Sequence, residues 1–250
     1  MAKIAAVHSF RGGTGKSNTT ANLGYLLAKS GKRIGVIDAD IQSPGIHVLF
    51  GLDEAHMRYA LNDYLWGNCE IEQAAYDIGT SWGNGVTGNL HLIPSRPNAG
   101  DIARVLREGY DVARLNQGLQ RLIEVLRLDA LLIDTHPGLN EETLLSLAVS
   151  DTLVVVLRAD QQDYMGTSIT VEVARKLDVP RIALVVNNVP PVFPIEDVRK
   201  HVEQAYGCEV AAVLPHFPEL MALASGGIFS LRFPEHPLTS MYRDLGAFVL

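Results

Sequence analysis

One stretch decides the fold of this 250-residue chain: Val7-His8-Ser9-Phe10-Arg11-Gly12-Gly13-Thr14-Gly15-Lys16-Ser17-Asn18. It follows a short apolar run over residues 3–7 and opens into a helical pattern that starts near Lys16. Glycines allow positive φ and close backbone approach, so successive N–H groups can point into one concavity and surround an anion. A helix that begins at Lys16 adds an N-terminus that attracts phosphate. The stretch therefore predicts a phosphate-binding loop between a strand and a helix.

The candidate nucleotide contacts in this loop are Gly12, Gly13, Thr14, Gly15, Lys16, Ser17 and Asn18. The ammonium group of Lys16 would neutralise the outer phosphates, and the hydroxyl of Ser17 would bind magnesium. The strict motif Gly-x-x-x-x-Gly-Lys-[Ser/Thr] is not met, because Phe10 stands where its first glycine belongs. The alternative is a glycine-rich turn with a surface lysine, and three glycines followed by Lys-Ser argue against it.

Composition restricts the class of protein. With 250 residues, of which 47% are hydrophobic, the chain fits one α/β domain or at most two small ones. We predict a single P-loop domain over residues 1–250. There is no run of about 18 uncharged apolar residues, so no membrane-spanning helix is expected. The net charge of −7 argues against a generally basic DNA-coating protein but is compatible with a local basic patch.

Two further features predict a cytoplasmic location. Cys69 and Cys208 lie far apart and without C-x-x-C spacing, so neither a disulfide framework nor a metal site is indicated. The N-terminus enters a strand directly, which leaves no room for a signal peptide.

Short apolar strands alternate with helical patterns along the chain. The predicted strands are residues 3–7, 34–37, 89–94, 130–133, 153–157, 182–186 and 210–214. Helical patterns cover residues 16–30, 57–66, 71–75, 102–126 (one or two helices), 165–177 and 195–206. Residues 41–50 are predicted as a loop, and residues 77–89 as a surface excursion that is either a partner loop or a mobile hairpin. The alternation predicts an α/β fold with one doubly wound, mostly parallel sheet, in which ligands bind beyond the carboxyl ends of the strands.

Aspartates stand at those carboxyl ends. Asp38 and Asp40 close the second strand, and two carboxylates beside a phosphate loop indicate contact with magnesium-bound water and positioning of an attacking water. Asp134 follows four apolar residues, which is the Walker-B arrangement that holds the magnesium shell opposite Ser17. The alternative for a strand-end aspartate is an ordinary turn or helix cap.

The residues after Asp134 are Thr135-His136-Pro137-Gly138. Gly138 would let a backbone N–H turn toward a terminal phosphate and sense its presence. His136 is either functional or simply packed in this loop between a threonine and a proline.

Five motifs now stand in a fixed order along the chain. Residues Arg11 to Ser17 are similar to the motif K-G-G-x-G-K-[S/T]. Residues 38–40 fall where a pair of switch I aspartates stands, and residues 134–138 match the switch II pattern D-x-x-x-G. Val185-Val186-Asn187 resembles a strand whose terminal asparagine recognises adenine, and 214–219 resembles an I-P-x-x-x-x segment that lines the base. Together they resemble the MinD/ParA family of deviant Walker A ATPases over nearly the whole chain. The resemblance implies that Asn187 and Pro215 contact the base.

The same resemblance implies ATP and Mg²⁺ as ligands and a cycle of assembly. In this family ATP drives a face-to-face homodimer around two nucleotides, and hydrolysis, usually slow until a partner protein stimulates it, releases the dimer. The first lysine of the motif reaches the other subunit's phosphates, and here Arg11 takes its place with a guanidinium that can bind phosphate bidentately. The implied catalytic residues are Lys16, Arg11 and Asp40. The alternative for Arg11 is a surface position without a cross-subunit contact.

Members of this family position cargo on membranes or DNA. MinD-like members add a basic amphipathic helix at the C-terminus. In this sequence, Arg243 is the only Lys or Arg among the eighteen residues after Arg232. If the chain is complete at Leu250, direct membrane anchoring of that type is not expected. ParA-like DNA binding would use scattered basic residues, which are also compatible with ordinary solvated charges. The candidates are Arg175, Lys176, Arg181, Arg199 and Lys200.

Three other functions stay open from the sequence. Iron–sulfur carriers share the loop but need cysteines at the dimer axis or C-x-x-C spacing, and Cys69 and Cys208 offer no such spacing. A phosphotransferase or ligase of the dethiobiotin synthetase type would bind a metabolite beside the loop and would not dimerise with ATP. A scaffold would bind nucleotide without hydrolysing it.

Overall fold

The computed structural model describes residues 2–82 and 85–250. The strands within these ranges are β1 (Lys3–His8), β2 (Arg33–Asp38), β3 (Tyr76–Asp77), β4 (Asn89–Ile93), β5 (Ala130–Asp134), β6 (Thr152–Arg158), β7 (Arg181–Val189) and β8 (Glu209–Pro215). They form one sheet in the order β3-β4-β2-β5-β1-β6-β7-β8. The pairs are parallel except for β3 with β4 at one edge. The predicted doubly wound α/β fold is confirmed.

Helices connect and cover these strands. In the described part of the chain they are α1 (Lys16–Lys29), α2 (Ile46–Leu49), α3 (Leu61–Leu65), α4 (Ala99–Glu108), α5 (Val112–Val125), α6 (Glu141–Ala148), α7 (Gln161–Lys176), α8 (Ile195–Tyr206), α9 (Pro218–Leu223), α10 (Phe229–Arg232) and α11 (Pro237–Val249). Short 3-10 helices lie at Glu54–His56, Ile71–Ala74 and Gly79–Trp82. Helix α1 ends before Gly31, whose φ of 93° supplies the left-handed residue that commonly follows a helix.

The core lies on both faces of the sheet. Side chains alternate along β1, so Ala5 and Val7 join one apolar layer, whereas Ile4 and Ala6 join the opposite face. The first layer is completed by α1, α10 and α11, and the opposite face by α3 and α5 at one half and by α7 and α8 at the other. The central residues of strands buried on both faces are apolar, so the polar residues of these strands lie at their ends.

The strand register brings the predicted site residues together. Asp134 at the end of β5 pairs with Asp38 at the end of β2, and it also pairs with Val7 near the end of β1. The loop after β1 and the two strand-end aspartates therefore share one edge of the sheet.

Three local predictions are wrong in part. Residues 41–50, predicted as a loop, contain α2, and the helix predicted over 57–66 is only α3. The short helix predicted over 71–75 is present as the 3-10 helix Ile71–Ala74. The predicted surface excursion at 77–89 is anchored, because Trp82 packs edge-on against Tyr25 with ring centroids 5.1 Å apart. Gly83 and Asn84, which belong to that prediction, lie outside the described residues.

Candidate nucleotide site

The loop between β1 and α1 has the backbone conformation that its glycines permit. Gly13 adopts φ 77° and Gly15 φ 97°, both in the left-handed region that favours glycine. A Cβ on Gly15 would overlap the side-chain amide of Asn187. Gly12 differs from the expectation, because its φ is not positive and no atom approaches the place of its absent Cβ. Two of the three glycines are thus required by the conformation itself.

Asn187 holds this loop from the side of β7. Its Nδ2 donates to the backbone oxygen of Thr14 at 2.7 Å, and the residue is buried. Because that bond joins the loop after β1 to β7, two strands away in the sheet, Asn187 fixes the loop as well as lining the space beside it. The sequence predicts a base contact for this residue but not this bond.

Two cavities meet at the loop. The first, of about 250 Å³, we call the loop cavity; its lining includes Ser9, Gly12, Gly13, Gly15, Lys16, Ser17, Asn18, Asp40, Ser43 and Pro137. The second, of about 290 Å³, we call the β8 cavity; its lining includes Gly13, Thr14, Gly15, Asn18, Asn187, Pro215, Phe217, Leu220 and Met221. Gly13, Gly15 and Asn18 line both. The loop cavity, with Lys16, Ser17 and Asp40 in its lining, suits a phosphate chain. The β8 cavity adds Phe217, Leu220 and Met221, whose apolar surface suits an attached base.

Lys16 is held by an internal counter-charge. Its Nζ lies 2.9 Å from Oδ1 of Asp134, and both side chains are buried. Thr20 Oγ1 lies 3.0 Å from the same carboxylate oxygen, and Ser17 Oγ lies 3.4 Å from Nζ. A buried ion pair requires such added hydrogen bonds, because removing two charges from water costs several kcal/mol per ion.

Asp38 is fully buried beside this pair. Its two carboxylate oxygens accept the backbone N–H groups of Asp40 at 3.1 Å and Gly45 at 3.2 Å. Burial, and then the charge of Asp134, raise the pKa of Asp38 well above its ordinary value, while Lys16 opposes this shift. The carboxylate therefore orders the loop that follows β2, and it does not line the loop cavity.

Asp40 lines the loop cavity and is tied to His136. Nδ1 of His136 lies 2.6 Å from Oδ1 of Asp40, and the same oxygen accepts the backbone N–H of Ser43 at 3.0 Å. His136, which the sequence leaves open between a functional and a packing role, thus contacts the predicted water-positioning residue. No sequence pattern indicated this pair, because its members are 96 residues apart.

Gly138 adopts φ 84°, in the left-handed region that favours glycine. Its backbone N–H donates to the oxygen of Ser9 at 3.1 Å, so in this conformation it points to the loop backbone. The neighbouring Pro137, rather than Gly138, lines the loop cavity.

Arg11 lies against the start of α7. Its Nη1 is 3.2 Å from Oδ1 of Asp160 and 3.1 Å from Oδ1 of Asp163, and its side chain is 34% exposed. The preceding Phe10 packs directly on Gly166 of the same helix, where a Cβ would overlap the ring. Arg11 is therefore neither free nor purely solvated, because two carboxylates of its own chain bind it.

The donor set fits a magnesium ion held mainly by substrate and water. Ser17 lines the loop cavity. Lys16 Nζ contacts both the hydroxyl of Ser17 and the carboxylate of Asp134, so these two possible magnesium contacts lie close together. Within residues 2–82 and 85–250, no group of three or more His, Cys, Asp or Glu side chains could hold a metal on its own. Mg²⁺ usually keeps several waters and binds one or two protein groups plus phosphates, so this sparse set suits it.

Most of the candidate DNA-binding residues already have partners. Arg175 donates to backbone oxygens of Tyr206 and Gly207, and Arg199 donates to that of Val210. Lys176 pairs with Glu172 and Arg181 with Glu209. These contacts match the interpretation as ordinary structural and surface charges.

Cys69 is buried and Cys208 half-buried, and both are free thiols. No helix among the described residues has the length and apolar character needed to cross a membrane.

Comparison with known proteins identifies relatives of the whole chain. A family model described as an AAA domain matches residues 2–179. An uncharacterised ATP-binding protein of Methanocaldococcus jannaschii is 28% identical over 248 residues, covering 99% of this chain and 87% of that protein. The septum site-determining protein MinD of Synechocystis sp. is 28% identical over 193 residues, covering 76% of this chain and 66% of that protein.

A solved structure shares the fold described above. The septum site-determining protein MinD of Pyrococcus horikoshii, complexed with Mg-ADP, superposes with a TM-score of 0.80 at 20% identity and covers 100% of this chain and 96% of that one. The family model spans most of this chain and includes the glycine loop, the strand-end aspartates and α7. This chain belongs to the AAA domain family matched by that model and, within it, to the MinD/ParA ATPases.

Proposed function

We propose that this chain is an ATP-driven molecular switch, which dimerises with ATP, hydrolyses it and is then released, and which positions or partitions a cargo in the cytoplasm. The observation that carries the proposal is the buried pair of Lys16 and Asp134 beneath a loop whose Gly13 and Gly15 are left-handed. An ammonium group held at the mouth of a backbone cradle is suited to a terminal phosphate.

The residues around the loop would bind the parts of the nucleotide. The backbone from Gly12 to Asn18 would surround the phosphates in the loop cavity. Asn187 and Pro215 would contact the base in the β8 cavity, whose apolar walls suit a flat ring. Gly138 would approach the terminal phosphate after its N–H leaves Ser9.

Magnesium would be held by Ser17 and, through water, by Asp134. Asp38 would join them through water only once one of its oxygens leaves the backbone N–H of Asp40 or Gly45. When bound, the ion would neutralise charge on the phosphate oxygens. Asp40 would orient the water that attacks the terminal phosphorus, giving ADP and phosphate. The whole of residues 1–250 would act as one domain in this reaction.

Arg11 would complete the site of a second subunit. Its side chain is 34% exposed beside the loop, although Asp163, one of its two partners, is buried. Phosphate oxygens of a second subunit's nucleotide would offer Arg11 charge-assisted bonds in place of these contacts. Loss of the terminal phosphate would remove those bonds and release the subunits, in the presence of a stimulating partner protein.

Sedimentation mass with ADP and with a non-hydrolysable ATP analogue tests the switch. We expect a dimer with the analogue and a monomer with ADP, and Arg11→Ala should abolish the dimer. Arg158→Ala is the matched control, because Arg158 contacts the same two aspartates as Arg11 but lies outside the loop. A monomer under both conditions, or an Arg11→Ala dimer of unchanged stability, would contradict the proposed assembly.

Hydrolysis is tested separately. Asp40→Ala should keep ATP binding and the dimer but lower turnover by about a hundredfold or more. Full activity of that variant would place the water elsewhere. A chain that consumes ATP only when a metabolite is added, without dimerising, would instead support a phosphotransferase.

A further inference from the structure

We propose that His136 is a positioning residue for hydrolysis, which orients the Asp40 carboxylate toward the attacking water; this rests on the role of Asp40 in the proposed function. The two residues belong to separate loops, after β5 and after β2. Asp38 and Asp134 are in register, and each member of the pair lies two residues beyond one of them. The sheet itself therefore brings the two side chains to the same edge.

The contact has the geometry of a directed hydrogen bond. Nδ1 of His136 lies 2.6 Å from Oδ1 of Asp40, a length typical of charge-assisted bonds. An ionised carboxylate can only accept, so the imidazole Nδ1–H donates. The backbone N–H of Ser43 donates to the same oxygen at 3.0 Å. Oδ1 is thus occupied by two donors.

The other oxygen of Asp40 is the one left for water. In the described part of the chain, Oδ2 of Asp40 has no hydrogen bond, and the carboxylate lines the loop cavity together with Lys16 and Ser17. Because Oδ1 is fixed by donors on two sides, the plane of the carboxylate is fixed as well. A carboxylate that already holds its orientation does not lose entropy when it receives the attacking water.

His136 is itself held by the helix that follows its loop, α6. Its backbone oxygen accepts the hydroxyl of Thr143 at 3.2 Å, and its side chain is 22% exposed, so it is not a core residue. A histidine kept for packing alone would be surrounded by apolar groups rather than paired with a residue of the cavity. The pair also links the two loops that would contact the terminal phosphate, so a shift in one moves the other.

Steady-state kinetics with MgATP tests this role with two variants of similar shape. His136→Leu removes the donor, whereas His136→Asn keeps an N–H near the position of Nδ1. We expect His136→Leu to lower kcat about tenfold to hundredfold with KM nearly unchanged, and His136→Asn to restore most of the loss. His56→Leu, at an exposed histidine, is the control and should keep the wild-type kcat.

A double-mutant cycle separates this inference from the proposed function. In an Asp40→Ala background, His136→Leu should cause no further loss of kcat. Full turnover by Asp40→Ala would place the attacking water elsewhere and refute this inference, whereas the ATP-dependent assembly of the proposed function would still stand or fall by sedimentation mass. An inactive Asp40→Ala beside a fully active His136→Leu would refute only the role of His136. The donor role of His136 would also be refuted if His136→Leu and His136→Asn lost equal amounts of kcat, or if the substitutions changed only KM.

Discussion

His8 makes the stability of this chain depend on pH. It ends β1 beneath the loop, is fully buried, and its Nδ1 lies 2.8 Å from the hydroxyl oxygen of Thr135. Burial, and then the positive charge of Lys16 and the nearby His136 ring, lower the pKa of His8 from 6.5 to about 3. The folded chain therefore keeps this imidazole neutral in mildly acidic solution.

The unfolded chain behaves differently, because its histidine regains the ordinary pKa. As the pH falls from about 6.5 toward about 3, the unfolded chain takes up a proton that the folded chain does not, so the free energy of unfolding decreases. The stabilisation is fully present above the unfolded pKa. With these two pKa values, linkage gives a loss of roughly 2 kcal/mol between about pH 7 and about pH 5.

Urea unfolding at both pH values measures this loss. His8→Asn keeps a donor toward Thr135 but cannot titrate, so the wild type should lose about 2 kcal/mol more than the variant between about pH 7 and about pH 5. The smaller volume of Asn costs the same at both pH values and cancels in the difference. His56→Asn, at a side chain 79% exposed, should keep the wild-type pH dependence. Equal losses in wild type and His8→Asn would refute the reasoning.

Three further predictions concern the loop and its surroundings. Gly15→Ala places a Cβ against Asn187 at a positive φ, and it should lower the free energy of unfolding by about 2–3 kcal/mol in urea titrations; unchanged stability would contradict the described loop. Gly166→Ala should displace the ring of Phe10 and cost about 1–3 kcal/mol in the same assay, although alanine favours helix more than glycine does. Burial raises the pKa of the Cys69 thiol to about 11, so at about pH 8 its alkylation in the folded chain, followed by mass spectrometry, should be about a hundredfold slower than in urea; equal rates would contradict its burial.

The sequence indicates the sheet well because its signal is local. Runs such as 130–133 and 153–157 are apolar at every position, which only a strand buried on both faces requires, and they correspond to β5 and β6. Short elements are less certain from sequence, and α2 (Ile46–Leu49) was missed within a stretch rich in Ser, Pro and Gly. A single helical turn has no amphipathic repeat by which a pattern could reveal it.

The candidate site is predictable only as a set of residues, and not as a set of contacts. Asp40 and Asp134 can be predicted from the sequence, because a polar residue after an apolar run is a local signal. The partners His136 and Lys16 lie 96 and 118 residues away from them along the chain, so the pairing depends on the strand order. The sequence predicts that Arg11 contacts a second subunit. Its contacts with α7 depend on how the loop packs, so no local pattern indicates them.

The ion pair of Lys16 with Asp134 also affects the order of folding and ligand binding in a newly synthesised chain. A buried ammonium without a counter-charge costs several kcal/mol, and here β5 supplies the carboxylate. Folding can therefore finish before any ligand arrives. A phosphate that enters must compete with an acceptor already in place, which favours ligands that also bond the loop backbone over ligands that contact Lys16 alone.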